Sequence, residues 1–131
     1  MNGVEARAFL QELYDAVCEP NAARDVTDDY FTEDFVHVTN GAIFSRTEFD
    51  DHLSALRSDL KRCRFEFTTV LAEDDRLADV HLFHATWADG HETTTKFIGV
   101  YTLLGKKISR FEEVSFLLEG QASDQDIPTR R

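Results

Sequence analysis

The residues of this chain best suited to proton chemistry lie between Arg64 and Leu118, with two more supplied from upstream. If that stretch forms antiparallel strands joined by two-residue turns, His84, Tyr101, Arg110 and Glu112 fall on one face. His52 points toward the same face from an upstream helix, and Tyr14 from the first helix. Such a set suits acid–base work: histidines shuttle a proton, the carboxylate orients an imidazole, and arginine and tyrosine stabilise a developing oxyanion. Burying so many ionisable groups is costly unless they pair or line a wet cavity. The plainer alternatives are that Arg110 and Glu112 neutralise each other at the open end of the sheet, and that Tyr14 is an ordinary core tyrosine. His81 and Glu113 form a runner-up pair. On this register they face the other side of the sheet, and a β-bulge in the last two strands would bring them into the pocket instead.

The elements that must position these groups are four long strands, Arg64–Glu73, Arg76–Ala88, His91–Leu104 and Lys107–Leu118. They are separated by Asp74-Asp75, Asp89-Gly90 and Gly105-Lys106, and Asp-Gly is a strong two-residue hairpin signal. Two-residue loops pair Phe65 with His84, Phe67 with Leu82, Thr69 with Val80 and Leu71 with Ala78, and carry those rows on to Thr95, Phe97, Gly99 and Tyr101. Alternation then assigns Phe65, Phe67, Leu82, Phe97, Val114 and Phe116 to the core. Glu66, Lys96, Phe83, Trp87, Ile98, Val100 and Phe111 go to the opposite face, which is apolar enough to predict a homodimer interface.

Upstream, residues 4–18 carry Phe9, Leu10, Leu13, Tyr14 and Val17 at helical spacing, and Pro20 ends that helix. A short helix with Asp25 as its cap precedes a strand at Phe35–Thr39. Asn40-Gly41 then signals a tight hairpin into Ala42–Ser45. A third helix starts at Thr47, with Asp50 as capping-box partner, and its buried stripe is Phe49, His52, Leu53, Leu56 and Leu60. Phe31, Phe35 and Leu53 supply apolar pocket walls. The tail, 119–131, is polar and without periodicity, which predicts a loosely held segment.

At 131 residues the chain suits one domain over 1–118 plus this tail. A formal net charge of −11 opposes nucleic acid and anionic membrane surfaces, which select basic footprints. There is no apolar run of membrane-span length and no signal-peptide pattern, and two distant cysteines, Cys18 and Cys63, suit reduced thiols in a cytoplasm. No metal site is expected: His81 and His84 point to opposite sides of one strand, and His91 sits in a hairpin. No Gly-rich phosphate loop or Ser-His-Asp arrangement is present, so no cofactor is expected.

The order helix, short helix, small hairpin, long helix and curved antiparallel sheet resembles the nuclear transport factor 2-like superfamily. The phrases YFTEDFVHVTNG, AEDDRLADVHLF and GKKISRFEEVSFLLEG carry the likeness to its branch of SnoaL-like polyketide cyclases and ketosteroid isomerases. The resemblance implies an α+β, cone-shaped domain whose helices close the concave sheet face over a small-molecule pocket. In ketosteroid isomerases a tyrosine and a protonated aspartate hold an enolate oxygen while an aspartate removes the proton. Tyr14 matches the tyrosine. The base position falls on Thr39 or Asn40, which leaves Asn40 a substrate contact at best, and the second acid falls on Gly99. The resemblance therefore implies a cofactor-free isomerase, cyclase or dehydratase for a small, partly apolar carbonyl compound, with steroid isomerisation disfavoured. The alternative is a non-catalytic ligand-binding or dimerisation module of the same fold.

Overall fold

A computed structural model describes residues 1–131. Helix α1 spans Gly3–Val17, and a capping box between Asn2 and Glu5 satisfies its first amides. It buries Ala6, Leu10, Leu13 and Val17, the stripe that helical periodicity assigns to the core. A 3₁₀ turn at Arg24–Asp29 leads into strand β1 (Phe31–Thr39). Asn40 and Gly41, both at positive φ, turn the chain into β2 (Ala42–Phe44). Helix α2 covers Arg46–Asp59 and begins two residues earlier than the Thr47 cap predicts, because Ser45 and Glu48 form the capping box instead. Strands β3 (Leu60–Glu73), β4 (Arg76–Trp87), β5 (Glu92–Leu104) and β6 (Lys107–Glu119) follow.

The six strands lie in the order β2-β1-β6-β5-β4-β3. All neighbours are antiparallel except β1 and β6, so the sheet is mixed and the fold is α+β. Both helices and the 3₁₀ turn cover its concave face, giving the cone-shaped arrangement.

Three features set which side chains enter the cone, and each changes parity relative to uninterrupted two-residue hairpins. In β3 the pairing runs Thr69–Val80 and then Phe67–His81, so Thr68 is an extra, bulged residue. Between β4 and β5, Trp87 and His91 bracket a three-residue loop, Ala88-Asp89-Gly90, closed with Gly90 at φ +93°. In β6 the pairing jumps from Leu103–Ile108 to Thr102–Arg110, leaving Ser109 bulged. The β5 face and the inner positions Phe65 and Phe67 are as the sequence predicts, whereas β4 and most of β6 are turned over. Leu77, Asp79, His81, Phe83, Ala85 and Trp87 therefore point inward from β4, and Phe111 and Glu113 from β6. Val114 and Phe116, expected in the core, stand outside; so do His84, Arg110 and Glu112. Phe83, Trp87 and Phe111, expected in a dimer interface, are core residues.

The tail is not loose. A 3₁₀ turn at Ala122–Asp126 brings Ile127 to full burial against the core, and Pro128 follows it inside. Arg130 stacks its guanidinium 4.9 Å from the centre of the Trp87 ring, and Arg131 lies 4.6 Å from that of Phe44. The last residues thus form a strap across the open end of the cone.

Candidate functional site

Between the helices and the concave sheet lies an apolar cavity in which the centre of a water-sized molecule has about 60 Å³ to move. That is room for more than one water, since a single molecule takes about 10–15 Å³ on this measure. Fifteen of the twenty lining residues are hydrophobic, and the strap contributes Ile127 and Pro128. Into this greasy wall the secondary structure aims a small polar set.

Strand β4 supplies His81 and Asp79, two positions apart and hence on one face. The His81 Nδ1 donates to Asp79 Oδ2 at 2.7 Å, with both side chains buried. Tyr101, on β5, donates its hydroxyl to the same oxygen at 3.1 Å, and the Tyr14 hydroxyl on α1 lies 2.7 Å from that of Tyr101. Burial, chiefly, raises the Asp79 carboxyl above its usual range, against the pull of the His81 and Tyr101 hydrogen bonds. Burial also pushes both tyrosines well above 10, reinforced by Asp79 for Tyr14 and by Tyr14 for Tyr101. They are hydrogen-bond donors, not bases.

A second pair comes from the other side of the sheet. β1 runs parallel to β6, placing His37 beside Phe111 and Thr39 beside Glu113. His37 Nε2 donates to Glu113 Oε1 at 2.8 Å, again with both side chains buried. The Phe111 ring stacks on the His37 imidazole at 5.5 Å, holding the ring plane. That placement depends on Gly99, because a Cβ there would come within 2.4 Å of the Phe111 ring. His52, from α2, approaches His37 with ring centres 6.4 Å apart, and its Nδ1 donates to the Arg130 carbonyl at 2.5 Å. Burial depresses its pKa to about 4, so it is neutral at pH 7.

The sequence-predicted residues divide cleanly. Tyr14, Tyr101 and His52 meet in the cavity, together with the runner-up pair His81 and Glu113. These two do not bond each other; each has a partner that sequence reasoning missed, Asp79 and His37. His84 instead lies on the convex face between Glu66 (3.0 Å) and Thr94 (3.2 Å). Glu112 and Arg110 are exposed on that face, 3.6 Å from each other. Asn40 sits in the exposed turn and joins Ser115 through both ends of its amide. The signal for His37 was present. With Phe35 inward on the first strand, period-two alternation carries His37 and Thr39 inward as well.

Comparison with known proteins agrees with this architecture. AclR, a candidate hydroxylase from Streptomyces galilaeus, superposes with a TM-score of 0.71 at 13% identity, over 98% of this chain and 88% of that one. A candidate polyketide cyclase from Acidithiobacillus ferrooxidans gives 0.68 at 16% identity, covering 85% and 87%. An uncharacterised protein of Schizosaccharomyces pombe, C11D3.04c, is 24% identical over 123 residues, 94% of this chain and 95% of its own length. The fold is thus nuclear transport factor 2-like. The sequence profile of the SnoaL-like domain matches residues 10–111, and the chain belongs to the SnoaL-like domain family.

Proposed function

We propose that this protein is a cofactor-free acid–base enzyme, of isomerase, cyclase or dehydratase type, acting on a small, partly apolar carbonyl compound. One observation carries the reading: two buried histidine–carboxylate pairs and a tyrosine pair border one apolar cavity. A purely structural core would gain more from apolar side chains of similar size, which need no desolvation of charge. Asp79 fixes His81 with its proton on Nδ1, leaving Nε2 as the base at the cavity wall. In the proposed step, Nε2 takes a proton from the carbon beside the carbonyl, and the released electron pair moves onto the oxygen as an enolate. Tyr14 turns its hydroxyl from Tyr101 to that oxygen. The proton then returns to a different carbon, or a leaving group departs. His37, oriented by Glu113, is the second proton carrier.

The test is exchange of α-hydrogens of small ketones with solvent deuterium, followed by NMR. His81→Gln should slow it at least about 100-fold, the usual contribution of a general base. Exchange that persists unchanged in both His81→Gln and His37→Gln would remove the proposal.

The convex face favours a further element of this reading, a homodimer. Ile98, Val100, Val114 and Phe116 are 41–62% exposed on the adjacent strands β5 and β6. Isologous pairing of that face would cover them. Sedimentation should give a dimer and Phe116→Asp a monomer; a wild-type monomer at high concentration would refute the pairing. With both cysteines unpaired, we place the protein in a reducing cytoplasm.

A further inference from the structure

The cavity is unusual in which half of each hydrogen bond it leaves open. Carboxylates and carbonyls only accept, so their partners must donate, and this fixes the proton on each imidazole. His81 gives its Nδ1 proton to Asp79, His37 its Nε2 proton to Glu113, and His52 its Nδ1 proton to the Arg130 carbonyl. Tyr101 gives its proton to Asp79, and Tyr14 gives its own to Tyr101. In the unliganded protein the histidine and tyrosine donors at the cavity are therefore engaged within the protein. What remains open toward the cavity is a pair of acceptors, Nε2 of His81 and Nε2 of His52. Nδ1 of His37 and Oδ1 of Asp79 also lack a partner in the protein, but both are sealed behind the wall. A ligand that donates to either open imidazole nitrogen replaces a hydrogen bond the protein does not supply.

The charge of the wall points the same way. Among its twenty residues there is one carboxylate, Glu113, and neither lysine nor arginine. Burial keeps His52 uncharged, so it supplies no positive charge at neutral pH. Aromatic faces complete the lining, and ring faces attract positive charge. An anion entering would lose its hydration and find a carboxylate and imidazole lone pairs.

We propose that the cavity selects an uncharged or cationic ligand bearing a hydroxyl or amino donor on an apolar, ring-sized body, and rejects carboxylates and phosphates. This deepens the function proposed above and rests on it for the carbonyl scaffold alone.

Four matched probes test it by calorimetry at pH 7: acetophenone, 4-hydroxyacetophenone, 4-aminoacetophenone and 4-acetylbenzoate. The hydroxyl and amino compounds should bind at least tenfold tighter than acetophenone, and the benzoate at least tenfold weaker. His52→Phe should cut the advantage of the donor-bearing compounds at least threefold while leaving acetophenone binding within about twofold, the equality expected where no polar contact differs. Should that variant fail to fold, the benzoate-to-amine ratio in the wild type decides alone. Benzoate binding as tight as the amine, equal affinity of the three neutral probes, or no binding by any of them would overturn the inference. Apart from a complete absence of binding, those results leave the exchange experiment untouched; its failure would instead remove the catalytic reading and leave the selectivity standing.

Discussion

On the concave face of the sheet, His81 meets Asp79 at 2.7 Å with neither side chain more than 2% exposed. On the convex face, His84 of the same strand meets Glu66 of β3 at 3.0 Å with the glutamate 47% exposed. The chemistry of the two pairs is nearly identical, although the first lies within one strand and the second joins two neighbouring strands. What differs is water. Around Glu66 solvent screens the charge and competes for the hydrogen bond, so the pair adds little to stability. Around Asp79 the carboxylate has no solvent to fall back on, and His81 and Tyr101 hold it in one geometry. Only the second kind of pair can present an imidazole with a fixed proton and a fixed direction.

This contrast can be broken most forcefully through its phenylalanines. Phe97 is buried against His81 on the inside, whereas Phe116 is 62% exposed on the outside. Phe97→Ala should cost about 3–5 kcal/mol in urea unfolding, the usual penalty for a buried phenylalanine. Phe116→Ala, assayed at concentrations where the chain is monomeric, should stay within about 0.5 kcal/mol. Equal losses would mean that the faces are wrongly assigned.

A pH series sharpens it next. The folded pKa of His52, about 4, lies below the ordinary value of 6.5, so between the two the unfolded chain binds more protons. Its contribution is fully present above pH ~6.5 and is lost as pH falls toward 4, about 3 kcal/mol in all. His52→Gln should flatten the stability curve over that window; an unchanged slope would show that the ring is not desolvated. His91 behaves oppositely. Asp89 and Asp124 raise its pKa, so its contribution holds below the ordinary value and fades as pH rises through the raised one.

A smaller effect tests the pairs themselves. Asp79→Asn keeps the shape but weakens two charge-assisted hydrogen bonds, and should destabilise by about 2 kcal/mol. The matching Glu66→Gln should be indistinguishable from wild type in the same titration. If Glu66→Gln proves the more damaging, the convex pair is the organised one.

Much of the fold was legible because its signals are local: the α1 stripe, the Asn40-Gly41 turn, and the existence of all four long strands. Face assignment was not, because each parity change depends on one residue with no compositional mark. Thr68 and Ser109 look like any strand residue, and Asp89-Gly90 signals a turn without stating that Ala88 joins it. These three positions decide that His81 and Glu113, not His84 and Glu112, reach the cavity. Tyr14, Tyr101 and His52 survived because their elements carry no such shift. The strap escaped notice because its apolar burial rests on Ile127 and Pro128, two residues in a polar run whose third buried member, Asp124, carries no apolar signal.

That strap has a kinetic consequence. With Ile127 and Pro128 in the cavity wall and the Arg130 carbonyl held by His52, ligand entry at this end of the cone requires the segment to lift first. Association should then show two stages, and its observed rate should level off as ligand concentration rises, at the rate of lifting. Ligands of very different affinity should share that plateau, and their residence times should lengthen together when the anchors at Trp87 and Phe44 are strengthened. A rate that climbs linearly without limit would mean that the cavity is reached by another path.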